Sequence, residues 1–195
     1  MNISFISGVS HILPRKWSFM GSSSVEIKPD FFEKESEHIA DVQIYKKNGI
    51  LKKPVLASIY KTGEAKKEKY TMVRNDKILG DIEIKADEPD IFVINVESYA
   101  RDEYSGIGTK LMQIAAEKSL QSGHTKHVLL NAQKLHLVQR HPKGFYQKLG
   151  FKVQNIKPEE IKIYGIPMDL SVTQEPFWIE KIKNEPVLKN NFLAT

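Results

Sequence analysis

Residues 91–132 read IFVINVESYARDEYSGIGTKLMQIAAEKSLQSGHTKHVLLNA, and the hydrophobic period changes twice within them. Ile91–Glu97 is a strand apolar enough to be central in a sheet. From Gly108 to Gln121, Leu111, Met112, Ala115, Ala116 and Leu120 share one helical face. Lys110, Gln113, Glu117, Lys118 and Gln121 take the other, and Gly123 ends the helix. His127–Ala132 is a second short apolar strand. Strand, helix and strand in succession make a right-handed crossover, so the two strands are expected to lie parallel and adjacent.

Working outward, Pro54–Lys61 and Lys69–Arg74 are β-rich, Asn75-Asp76 is a turn signal, and Ile78, Gly80, Ile82 and Ile84 alternate through Lys77–Lys85. These segments predict an antiparallel meander that gains the buried strand 91–97. Further upstream, Phe31, Phe32, Ile39, Val42 and Ile44 are spaced by acids and Lys34, which predicts an irregular amphipathic helix from Pro29 to about Tyr45. Downstream, Phe145–Leu149 reads as a short helix closed by Gly150, with Phe151 folding back and a last strand near Pro167–Val172. Residues 1–24 end in Gly-Ser-Ser-Ser and read as an N-terminal extension; residues 25–195 read as one domain. The fold class is α/β (α+β): a mixed central sheet in which an antiparallel meander precedes a parallel strand–helix–strand crossover.

Composition narrows the chemistry. Hydrophobic residues at 41% and charged residues at 27% suit a chain that buries a core, not a disordered polyelectrolyte. With no cysteine, disulfides, thiol nucleophiles and cysteine zinc sites are excluded. No run approaches the ~18 apolar residues of a membrane span. Met1–Trp17 lacks the plan of a secretory signal, so the expected compartment is the cytoplasm and no membrane partner is expected. The net charge of +5 owes much to Lys46, Lys47, Lys52, Lys53, Lys61, Lys66, Lys67 and Lys69. Broken by Gly49, Gly63 and Glu64, that cluster reads as a solvated edge, and no specific nucleic-acid partner is expected.

The chemistry centres on Ser105-Gly106-Ile107-Gly108-Thr109-Lys110-Leu111, placed between a buried strand and a helix. A helix N-terminus presents unpaired N–H groups and the positive end of the macrodipole, and glycines let an anion approach closely. A dinucleotide fingerprint would require glycine at position 111, and a Walker loop would require Gly-Lys-Ser/Thr; neither is satisfied. The second segment is Gly144-Phe145-Tyr146-Gln147-Lys148-Leu149-Gly150-Phe151. Together, and in this order, the two segments resemble the GNAT superfamily of acyl-coenzyme-A-dependent N-acyltransferases, over about Lys69 to Val172.

The resemblance implies that Ser105, Gly106, Ile107, Gly108 and Thr109 form the loop for the pyrophosphate of acetyl-coenzyme A. It further implies that Ile94, Val96 and Asn131 belong to the coenzyme site, Ile94 and Val96 through backbone groups offered to the pantetheine arm. Tyr146 falls on the family's general acid, near the thioester sulfur. Two departures stand out: Glu103 occupies a position where the family has Gln or Arg, with Arg101 two places upstream, and Lys134–Lys143 lengthens the path from Asn131 to Tyr146.

An amine attacking a thioester must lose a proton, and the departing thiolate must gain one. A phenol of pKa ~10 is a suitable donor to a thiolate of comparable basicity, which fits Tyr146. Glu97, ending the central strand, is the first candidate base, followed by Asp102 and Glu103. His124, His127, His136 and His141 recur at no ligand spacing, so no metal is assigned. Arg140, His141 and Lys143 read as solvated loop, with the coenzyme's 3′-phosphate or an acidic acceptor as the competing assignment. The expected activity is acetyl transfer from acetyl-coenzyme A to a primary amine. A non-catalytic module of the same fold, sensing coenzyme or binding a protein or polyanion, is the alternative.

Overall fold

Alternation with a period of two shapes the first half of the molecule. The computed structural model describes residues 25–26, 36–64, 66–87, 89–122, 125–132, 144–154 and 165–188. A short β1 (Val25–Glu26) pairs with the start of β5. Strands β2 (Glu37–Asn48), β3 (Leu51–Glu64), β4 (Lys67–Arg74), β5 (Lys77–Asp87) and β6 (Asp90–Ser98) then form an antiparallel meander. The chain continues through β7 (Tyr104–Ser105), α1 (Ile107–Ser122) and β8 (His127–Ala132), and β8 lies parallel to β6. Helix α2 (Phe145–Lys148), β9 (Lys152–Val153), β10 (Ile166–Ser171) and α3 (Pro176–Asn184) complete it. Across the sheet the order is β7-β2-β3-β4-β5-β6-β8-β10-β9. The mixed sheet, the meander and the parallel crossover expected from sequence are all present.

The helix expected over Pro29 to Tyr45 is not. Residues 29–35 lie outside the described residues, and from Glu37 onward the chain is β2. Val42 and Ile44 are buried while Asp41, Gln43 and Tyr45 are exposed, which is a strand's period. Pairing decides it: Val42 faces Ala57 and Ile44 faces Val55, so these β-branched residues pack across a long hairpin.

Helix α1 covers β4, β5, β6 and β8 with the apolar face read from sequence; Leu111, Met112, Ala115 and Ala116 are buried. Its other face is not the solvated surface that its polarity suggests. Lys110, Gln113 and Glu117 are buried beneath the end of α3 and residues 185–188, which the sequence left unassigned. The Lys110 ammonium meets the Glu185 carboxylate at 2.8 Å, and Gln113 Nε2 donates to Glu117 Oε1 and to the Glu185 carbonyl, both at 2.7 Å. Glu117 accepts the backbone N–H groups of Val187, at 2.9 Å, and Leu188, at 2.5 Å. Buried polar groups survive through such partners, and among the side chains of the described residues only Gln113 Oε1 is buried without one. Pro176 at the first helical position and the buried pair Trp178 and Ile182, one turn apart, are the signals that mark α3.

Glu68 on β4 is a second buried node. Its carboxylate receives Lys61 Nζ at 2.6 Å, Tyr70 Oη at 2.8 Å and Lys118 Nζ of α1 at 3.1 Å. Burial raises its pKa, but the hydrogen bonds from Lys61 and Tyr70 and the charge of Lys118 outweigh burial, and the net shift is below the ordinary 4.5. A carboxylate with a depressed folded-state pKa stabilises the fold above its unfolded pKa, and that contribution is lost as pH falls through the folded value. Unfolding free energy should therefore drop as pH falls below about 4.5, and Glu68→Gln should flatten that limb in urea titrations at several pH values. An unchanged slope in the variant would show that other groups control acid unfolding.

No helix among the described residues is long and apolar enough to cross a membrane.

Candidate active site

Strand β6 leaves its parallel neighbour at one identifiable residue. Against β5, Asn95 pairs with Glu83 and Val93 with Ile84, so Ile94 is an extra residue, a β-bulge. Against β8, pairing covers Ile91–Val93 with Val128–Leu130 and stops there. Beyond Val93 the two strands part around a cavity of about 330 Å³ lined by Ile94–Tyr99, Arg101, Leu130, Asn131 and Tyr146. Along that wall, the edge of β6 facing β8 has no strand partner among the described residues.

Ile94, Val96 and Glu97 of β6 and Asn131 of β8, four of the candidate residues, therefore line one space with Tyr146. Ile94 is 42% exposed, unlike the core isoleucines beside it. The Glu97 carboxylate is exposed and receives Asn95 Nδ2 at 3.1 Å. Tyr99, which the sequence did not single out, donates from Oη to Asp81 Oδ2 at 3.0 Å, and Asp81 pairs with Lys69 at 2.9 Å. Burial, then the charges of Asp81 and Glu97, push the Tyr99 phenol well above its usual value. Asp102 and Glu103, the second-choice bases, are exposed on the following loop and do not line the cavity.

Tyr146 sits on α2, whose turn is tied by a hydrogen bond from the Gly144 N–H to Gln147 Oε1 and from the Phe151 N–H to the Tyr146 carbonyl. Its ring stands edge-on between Phe145 and Phe151, at 5.2 and 5.9 Å between centroids. Burial raises the pKa of its phenol, which keeps the hydroxyl protonated and able to donate. Trp178 of α3 anchors the same turn, donating from Nε1 to the Leu149 carbonyl at 2.7 Å.

The loop candidates stand beside the cavity and do not line it. Ser105 pairs with Tyr45 at the edge of β2, and Gly106 takes a φ of 96°, a conformation glycine adopts without strain. Among the described residues, the two chain neighbours aside, no atom lies within 4 Å of where a Gly106 Cβ would stand, so none of them closes the approach to the helix end. Ile107 is buried in the core, whereas Gly108 and Thr109 are half-buried in the first turn, whose N–H groups have no helical acceptor. A Cβ on Gly108 would lie 3.0 Å from Phe145 Cζ, so the two glycine-bearing segments meet in space. Arg140, His141, Lys143 and the lengthened stretch Lys134–Lys143 lie outside the described residues.

Residues 37–172 match the family model of the acetyltransferase (GNAT) domain, and the chain belongs to that family. Solved structures of similar fold include a Bacillus anthracis protein described as a streptothricin acetyltransferase, in complex with acetyl coenzyme A: 13% identity, 75% of this chain, 94% of that chain, TM-score 0.44. The ribosomal-protein-S18-alanine N-acetyltransferase of Escherichia coli shares 14% identity over 55% of this chain and 70% of its own, with a TM-score of 0.44. An acyl-CoA N-acyltransferase of Pseudomonas aeruginosa shares 20% identity over 53% and 66%, with a TM-score of 0.40. No curated protein matches the chain.

Proposed function

We propose that this protein transfers an acetyl group from acetyl-coenzyme A to a primary amine, by direct attack in a ternary complex without a covalent enzyme intermediate. The observation that carries the reading is the parting of β6 and β8 at Ile94, with Tyr146 and Glu97 on the cavity it opens. An unpaired strand edge is the surface that an amide-bearing arm joins by strand-type hydrogen bonds, so Ile94 and Val96 suit the pantetheine through their backbone groups, with Asn131 opposite. The open approach at Gly106 suits a diphosphate on the N–H groups of Ser105–Thr109. The coenzyme supplies the activated acyl thioester. Glu97 takes the proton from the incoming ammonium, directly or through water, and Tyr146 Oη donates to the sulfur as the carbon–sulfur bond breaks. Residues 25–195 act as one domain in this reading, and the cytoplasm is its site of action.

Coenzyme binding is the test. Acetyl-coenzyme A at a hundred times its dissociation constant should add about 2.7 kcal/mol to the stability of the protein. Gly108→Val should abolish that gain and leave the free protein folded, because the atoms nearest to the new Cβ belong to the ring tip of Phe145, at 3.0 Å, and not to backbone. An unchanged melting temperature in saturating coenzyme, with no heat in calorimetry, would remove the proposal.

A further inference from the structure

Several lysines of this sheet and of α1 have carboxylate partners: Lys61 and Lys118 with Glu68, Lys67 with Glu83, Lys69 with Asp81, Lys110 with Glu185. The distal end of the β2–β3 hairpin differs. Lys46 stands directly opposite Lys53, and Lys47 directly opposite Lys52. All four are exposed, and none forms an ion pair among the described residues. Like charges facing each other across a strand pair are destabilising, so two such rungs in succession cost the hairpin stability.

The place of this hairpin gives those charges a use. Its outer edge is stitched to the loop that leads into Gly106: Tyr45 pairs with Ser105 and Lys46 with Tyr104. The Lys47 N–H donates to the Glu103 carbonyl at 2.8 Å, and Lys47 Nζ donates to the Arg101 carbonyl at 2.6 Å. Lys46 is thus beside a residue two places before Gly106, and Lys53, opposite it, shares its face of the hairpin. Lys52 belongs to the other face. A lysine carries its charge on a flexible four-carbon stem, long enough to sweep the ground between that strand and an anion on the neighbouring loop.

We propose that Lys46 and Lys53 form a second anion subsite for the coenzyme, receiving the 3′-phosphate of its nucleotide end while Gly106–Thr109 hold the diphosphate. This rests on the coenzyme reading above. It accounts for unpaired like charges beside the one loop that reads as a phosphate cradle, and it assigns the excess charge of the first half to a small ligand, not to nucleic acid.

The experiment compares coenzyme A with 3′-dephospho-coenzyme A by calorimetry, on the native chain, on the double variant Lys46→Met/Lys53→Met and on Lys52→Met. The native chain should bind coenzyme A about tenfold more tightly than the dephospho form at low salt, with the gap narrowing as salt is added. The double variant should bind both at the dephospho level, and Lys52→Met should keep the gap. Because a like-charged rung is removed, the free double variant should melt no lower than the native chain. Equal affinity of the native chain for the two compounds, or a gap that persists in the double variant, overturns the subsite and leaves the coenzyme reading standing. Binding of neither compound overturns both. A short oligonucleotide held at physiological ionic strength by the native chain and lost by the double variant, with coenzyme affinity unchanged, overturns it in favour of a nucleic-acid surface.

Discussion

Replacing Tyr146 by phenylalanine should lower turnover on an amine acceptor by about 10²–10⁴ while coenzyme affinity stays nearly constant. The substitution keeps the ring and its edge-on contacts with Phe145 and Phe151, so packing and α2 should persist. What disappears is the hydroxyl at the cavity wall, whose proton burial holds in place. Steady-state rates on an acceptor found from an amine panel, alongside calorimetry with coenzyme A, separate the two effects. Turnover within a small factor of native would assign the phenol to structure and the proton to water or another group. A matching fall in coenzyme affinity would make the hydroxyl a ground-state anchor.

The largest loss of stability should come from Trp178→Ala. This indole is fully buried, and truncating such a side chain costs about 3–5 kcal/mol through lost transfer energy and the cavity left behind. The Leu149 carbonyl also loses the indole N–H, adding about 1 kcal/mol if no water replaces it. Leu149 closes the turn that carries Tyr146, so the damage reaches the site as well as the core. Urea unfolding followed by circular dichroism measures it, and a loss below about 1 kcal/mol would mean that α3 is not part of the cooperative unit.

Local pattern disclosed most of the frame. The alternation of Gly80, Ile82 and Ile84 and the face of Leu111, Met112, Ala115 and Ala116 each report one element's own buried side and appear as read; Ile78 is only half-buried, because Leu79 is an extra residue against β4 and takes the buried place. Where the period was read wrongly, at Val42 and Ile44, the deciding contacts are Ala57 and Val55 on the next strand, which no local window contains. Lys110 and Glu117 look solvated until their partners arrive from Glu185 and Val187, about seventy positions later. The site divides in the same way. Glycines before a helix are visible as letters, but the meeting of Glu97 with Tyr146 follows from where β6 and β8 part, and that depends on pairing with β5.

That parting turns on arithmetic. In the first part of β6 the odd-numbered residues face α1: Ile91 and Val93 are buried. After Ile94 the parity inverts, so Val96 and Ser98 are the half-sheltered positions while Asn95 and Glu97 are exposed. Were Ile94 paired with Glu83 in a regular ladder, the first parity would run on and turn the Glu97 carboxylate into the apolar layer beneath the helix, where an unpaired charge is prohibitively costly. The position of the proposed base depends on the bulge at Ile94 as much as on the identity of Glu97. Changes that make this same stretch pair regularly at Ile94 are therefore the ones to which the proposed activity should be most sensitive.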